Sequence, residues 1–116
     1  KKAPPPPSRN LERLEPVLQY IASNYNRPIS LEEISGVAIL QPKYFCRFFK
    51  KCMGVTFLEY QNEIRLSKIY KDVTSTSDKI SDILERHGFT NYKLFRRMFS
   101  ERFHATPTEI RKHVSS

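Results

Sequence analysis

The chain has 116 residues, 39% of them hydrophobic, which suffices for one or two small cores and is too little for a large enzyme fold. Its 20 lysines and arginines against 12 carboxylates give a formal charge of +8 and a pI near 9.7, so the partner expected is acidic, either nucleic acid or an anionic membrane surface. Three glycines leave no phosphate-binding loop, no nucleophile-base constellation appears, and no apolar run approaches the roughly 20 residues that cross a bilayer, so neither enzyme nor membrane protein is expected.

Residues 1–9 begin Lys1-Lys2-Ala3-Pro4-Pro5-Pro6-Pro7-Ser8, a run that cannot be helical and is expected to be an extended polyproline linker. A sensory or dimerisation domain is expected ahead of it. From about Leu11 to Tyr25 the spacing predicts a helix with Leu14, Val17, Leu18 and Ile21 on its apolar side and Pro16 tolerable only near its start. A shorter helix follows on Leu31, Ile34 and Ala38, opened by the capping box Ser30-Leu31-Glu32-Glu33, in which serine and glutamate each satisfy the other's backbone N–H. Gln41-Pro42 starts a third helix, because proline at the first helical position forfeits no hydrogen bond. On that helix Phe45, Phe49 and Cys52 share one face with Phe48 beside them, while Lys43, Arg47 and Lys50 share the opposite face.

Thr56-x-x-Glu59 is a second capping box and opens a long helix, expected over residues 56–73, with Phe57, Tyr60, Ile64, Ile69 and Val73 as contacts and no breaker. Such a rod would fix the separation of the parts it joins, as a flexible tether would not. Ile80, Ile83 and Leu84 mark another short helix, and His87-Gly88-Phe89-Thr90-Asn91 a turn in which Gly88 takes the positive φ and Asn91 or Thr90 caps the next helix. There Phe95, Met98, Phe99 and Arg102 lie near one stripe, and Lys93, Arg96, Arg97 and Ser100 on the other. Thr106-x-x-Glu109 then opens the last helix.

Two stretches of this pattern repeat at an offset of fifty positions. Lys43, Phe45, Arg47, Phe49, Thr56 and Glu59 recur as Lys93, Phe95, Arg97, Phe99, Thr106 and Glu109, which implies one supersecondary unit used twice. Short helix, tight turn and basic helix is the helix-turn-helix plan. The expected fold is therefore all-α, with one helix-turn-helix subdomain over residues 10–55, a linker helix over 56–73 and a second subdomain over 74–116.

With these motifs in order, the chain resembles the DNA-binding domain of the AraC/XylS family of bacterial transcription regulators over nearly its whole length beyond the linker. The matches in the second unit are Ile80-Ser81-Asp82-Ile83, Gly88-Phe89, Phe95, Arg97, Phe99 and Thr106-Pro107-Thr108-Glu109-Ile110-Arg111. In the first they are Ser30-Leu31-Glu32-Glu33, Pro42, Phe49-Lys50-Lys51, Gly54, Tyr60 and Arg65-Leu66. The resemblance implies about seven helices and two recognition helices entering successive major-groove segments on one face of DNA. It also implies base-reading positions at Lys43, Cys46 and Arg47 in the first unit and at Tyr92, Lys93, Arg96 and Arg97 in the second. The chain departs from the family pattern at Gln41, where a serine cap is usual, and at Ser35 and Leu84, usually small residues. It departs again at His104, usually glycine, and at Ile110, usually tyrosine.

Side-chain chemistry ranks these positions. Arg47 and Arg97 can pair bidentately with guanine O6 and N7, whereas Lys43 and Lys93 can reach guanine or phosphate. Tyr44, Lys50, Lys51 and Arg102, with Arg96 as a further candidate, are assigned to the phosphate backbone, which holds register without reading sequence. Thr56 and Thr106 head helices whose free N–H groups could also take a phosphate, beside the capping role of their side chains. Cys46 is expected to be a passive small side chain, and the four ridge-opposing phenylalanines to be core. His87, His104 and His113 show no metal-ligand spacing with the cysteines, so no metal or other cofactor is expected. Cys46 and Cys52 are too few and too close for a disulfide framework, which fits a cytoplasmic protein.

Two other functions compete with promoter or operator binding. One is a protein-interaction module that docks RNA polymerase or another partner through Glu32, Glu33, Asp82 and Glu85 or through the basic stripes. The other is binding to double-stranded RNA, which would be indifferent to base sequence and require 2′-hydroxyls.

Overall fold

The computed structural model describes residues 8–115, with side chains from residue 12 to residue 114; the expected linker at residues 1–7 lies outside them. Among the described residues there are seven helices and no strand, the all-α architecture expected. The chain divides into two compact units, with the boundary between Gln61 and Asn62 inside the fourth helix.

In the first unit α1 (Ser8–Asn24) buries Val17 and Ile21, α2 (Leu31–Ala38) buries Ile34 and Ala38, and α3 (Pro42–Met53) buries Phe45, Phe48 and Phe49. The opening turn of α4 (Phe57–Ser75) completes this core: the Phe57 ring meets Phe45 edge-on at 5.9 Å and Tyr60 meets Phe49 at 5.7 Å. Gln61 is 1% exposed, and its amide donates to the carbonyls of Tyr25 at 3.0 Å and Arg27 at 2.8 Å, which ties the α1–α2 loop to α4. The expected capping box of α2 is formed, with Ser30 Oγ accepting from the Glu33 N–H at 3.0 Å and the Glu33 carboxylate accepting from the Ser30 N–H at 3.3 Å.

Two details of α1 differ from expectation. The helix already includes Ser8 and Arg9, assigned above to the linker, and Pro16 lies in its interior. Proline there removes one N–H donor, but Val17 and Ile21, the next inward positions, are fully buried, so packing downstream holds the helix across the missing bond.

In the second unit the rest of α4 packs with α5 (Ile80–Arg86), α6 (Tyr92–Phe103) and α7 (Pro107–Ser115) around Leu66, Ile69, Val73, Ile83, Leu84, Phe89, Phe95 and Phe99. Met98, Phe103 and Ile110 pack against this core from its margin, so isoleucine fills the place where the resembled family carries tyrosine. α4 runs two residues beyond the expected end at Val73. Around its end three hydroxyl groups bond back to carbonyls one turn earlier: Thr74 donates to the Tyr70 carbonyl at 3.0 Å, Ser75 to Lys71 at 2.5 Å and Thr76 to Asp72 at 2.8 Å. The Arg111 guanidinium then covers the carbonyls of Val73, Thr76 and Asp78 at 3.1, 2.9 and 2.6 Å, satisfying acceptors that a helix end leaves open.

Candidate nucleic-acid interface

The first cationic ridge is exposed because its helix is held from behind. Phe45 and Phe49 are fully buried, and at 3.6 residues per turn this turns Lys43, Cys46, Arg47, Lys50 and Lys51 outward, with Tyr44 57% exposed beside them. α3 contains no carboxylate. None of these five ridge side chains makes a hydrogen bond or ion pair with another described residue. Gln41 gives the helix no side-chain cap, so Pro42 alone marks its start, and Gly54 closes it in the left-handed region at φ 80°.

The second ridge is built the same way on α6. Phe95 and Phe99 are fully buried, while Tyr92, Lys93, Arg96, Arg97 and Ser100 are exposed. The preceding turn adopts the expected geometry: Gly88 has φ 87°, and Asn91 Oδ1 accepts from the Leu94 N–H at 3.0 Å. His87 is buried at the end of α5, its Nε2 lying 2.7 Å from Asp72 Oδ2 on α4. The same carboxylate oxygen accepts from Arg86 at 2.8 Å, and the hydrogen bond from His87, then that from Arg86, hold the Asp72 carboxyl below its ordinary range. These contacts fix the turn that aims α6.

His104 stands where the first unit has Gly54 and takes the same left-handed cap at φ 61°, its N–H reaching the Ser100 carbonyl at 2.8 Å. Ile39 caps α2 in this region too, at φ 57°, and is 84% exposed.

Cys52 and Arg102 correct the expected apolar stripes, since both are exposed. They are the same position of the repeat, in the last turn of each basic helix. Arg102 Nε instead donates to Glu63 at 2.8 Å, and its guanidinium lies 4.9 Å from the Phe103 ring. Thr56 and Thr106 are engaged as caps: each hydroxyl accepts from a glutamate N–H at 3.1 Å, and each threonine N–H donates to that glutamate's carboxylate at 2.9 Å.

Five other arginines contrast with those of the ridges, though Arg13 on α1 is exposed as they are. Arg27 pairs with Glu33, Arg86 with Asp72 and Asp78, Arg102 with Glu63, Arg111 with backbone carbonyls, and Arg65 is buried with its guanidinium 5.6 Å from the Phe89 ring. The Arg27 hydrogen bond, followed by that from Tyr20, draws the Glu33 carboxyl from 4.5 down to about 2. Arg47 and Arg97 have no such partner among the described residues. The partners of Gln61, Arg65 and Arg111 lie far away in sequence, so no local pattern announced them. Among the described residues no group of three or more His, Cys, Asp or Glu side chains could hold a metal ion, and no helix is long and apolar enough to cross a membrane.

Two helix-turn-helix units, each presenting unpaired cations on its second helix, define a class of nucleic-acid-binding domain, and comparison with known proteins agrees. A family model for a helix-turn-helix domain matches residues 34–113. An uncharacterised HTH-type transcriptional regulator of Staphylococcus aureus is 28% identical over 102 residues, covering 88% of this chain and 14% of the regulator. The chain thus spans about one seventh of the length of the first curated relatives it matches. Among solved structures, an AraC-type transcriptional regulator from Chromobacterium violaceum has a TM-score of 0.81 at 23% identity, covering 95% of this chain and 98% of its own. The DNA-binding domain of the global transcriptional factor AdpA, in complex with a target DNA, has a TM-score of 0.79 at 17% identity, with 87% and 91% covered. The chain belongs to the AraC-type helix-turn-helix family of bacterial transcription regulators, and the resemblance carried by its motifs is borne out.

Proposed function

We propose that this domain regulates transcription as a cytoplasmic, non-enzymatic binding module whose α3 and α6 enter successive major-groove segments of promoter or operator DNA. The observation that carries this reading is the contrast among arginines: Arg47 and Arg97 are exposed and unpaired on the ridges, while Arg27, Arg86, Arg102 and Arg111 are engaged within the fold. A guanidinium left without an internal partner retains its full hydrogen-bonding capacity for guanine O6 and N7, worth about 1–3 kcal/mol of discrimination per bidentate pair.

Around these two, Lys43, Cys46, Lys93 and Arg96 face base edges, with Tyr92 beside Arg96, and Tyr44, Lys50 and Lys51 hold phosphates. Thr56 and Thr106 serve phosphate through the N–H groups that their capping boxes leave open, those of Phe57 and Leu58 in α4 and, since Pro107 has none, that of Thr108 alone in α7. Arg102 contributes to the backbone in competition with Glu63, since an exposed pair of that kind is worth only ~0–1 kcal/mol. The rival docking surface for RNA polymerase is weakened at one of its four carboxylates, because Glu33 is already engaged by Arg27, Tyr20 and Ser30.

Selecting bound duplexes from a random-sequence pool tests the proposal. Enrichment of two unlike segments is expected, because Cys46 in one ridge stands where Arg96 stands in the other. No enrichment, or equal binding of the matching RNA duplex, would overturn it.

A further inference from the structure

One contact on the second ridge has no counterpart on the first. The Arg96 guanidinium lies 5.9 Å from the centroid of the Tyr92 ring, one helical turn before it. The Tyr92 ring stands in turn 6.2 Å from the ring of Phe95, which is fully buried. Asn91 caps the same turn through the Leu94 N–H at 3.0 Å, so the backbone beneath Tyr92 is fixed as well. A path of contacts therefore leads from the core through an aromatic face to an exposed cation. In the first unit the equivalent residues are Pro42 and Cys46, which can form no such pair, and Arg97 beside Arg96 has no partner among the described residues.

Taking the proposed DNA reading as its basis, we infer that Tyr92 is a positioning residue for Arg96 and does not itself touch a base. Tyr92 is 57% exposed, and its ring restricts the rotamers of a side chain that would otherwise sweep several. A guanidinium held against the electron-rich face keeps its N–H groups for hydrogen bonding, because the ring occupies none of them in a conventional bond. Arg96 is thereby ordered before DNA arrives. The ring's contribution at an exposed site corresponds to about two- to five-fold in preference for the base pair that Arg96 reads.

The test measures binding of the wild type, Y92F, Y92L, R96A and the Y92L/R96A double variant to the selected duplex and to every single-base-pair change in it. Phenylalanine retains the ring face and leucine removes it. R96A is expected to relax preference at one base pair, Y92L to relax the same pair two- to five-fold with the salt slope unchanged, and Y92F to match the wild type. The double variant should equal R96A, since a brace has nothing to position once its arginine is gone. Equal losses in Y92F and Y92L would mean that the hydroxyl contacts DNA and would overturn the inference. So would a Y92L effect at a different base pair, one that adds to R96A, or a uniform loss over all sequences, which would make Tyr92 only a cover for Phe95. If R96A leaves every preference intact while R97A still relaxes one, this inference fails and the DNA reading survives; if neither the wild type nor any variant selects a sequence, the DNA reading itself has failed.

Discussion

Lys50→Ala separates a phosphate contact from a base contact. Lys50 is exposed in the last turn of α3, on the side opposite the buried Phe45 and Phe48, and makes no side-chain bond with any described residue, so truncating it disturbs no packing. If Lys50, Lys51 and Arg102, the cations assigned to the backbone, each neutralise one phosphate, the observed association constant falls with salt at a log–log slope of about −2.7. Between about 50 and 200 mM salt that is a loss of roughly 40-fold. Removing one such contact flattens the slope by ~0.9, so the gap between wild type and Lys50→Ala should narrow by about 3.5-fold over the same range. Fluorescence anisotropy on the selected duplex and on sequence-scrambled duplexes, at four or more salt concentrations, reads both quantities. An unchanged slope, or a loss confined to particular base-pair changes, would refute the phosphate assignment.

Other perturbations probe the scaffold that aims the ridges. His104→Gly and Ile39→Gly should each stabilise the protein by ~0.5–1 kcal/mol, because both residues hold a left-handed conformation that strains an L side chain. Ile39 also has little burial to lose; a lowered melting temperature in either variant would contradict the strain argument. For Glu33→Gln the pH dependence is set by a carboxyl whose folded value of about 2 lies below its ordinary 4.5. A depressed acid contributes stability that is fully present above the ordinary value and disappears as pH falls through the folded one. The urea midpoints of wild type and Glu33→Gln should therefore differ at pH 7 and converge as pH falls from 4.5 towards 2. A gap that persists below that window would assign the loss to the capping box geometry instead of to charge.

Much of this molecule is legible from short-range pattern. The fifty-residue repeat, the Ser30-Glu33, Thr56-Glu59 and Thr106-Glu109 boxes and the Gly88 turn are local devices, and each appears where spacing puts it. Helical periodicity also separates Phe45 and Phe49 from Lys43 and Arg47. It does not reveal which positions of a stripe a neighbouring element covers, so Cys52 and Arg102 fall on the apolar stripe by phase and yet are exposed. Nor can it reveal partners distant in the chain: Gln61 is buried because it meets two loop carbonyls, and Arg111 acts at the end of α4. The Tyr92–Arg96 pair has the helical spacing of a contact, but only the positions of the rings distinguish it from two independent exposed side chains.

Guanine methylation interference bears most directly on whether both ridges read bases. A methyl group on N7 blocks the acceptor that an arginine needs in the major groove. Two separate clusters of sensitive guanines are expected on the selected duplex, with Arg47→Ala abolishing one cluster and Arg97→Ala the other. A single cluster, or sensitivity that neither substitution alters, would contradict the assignment of base reading to α3 and α6.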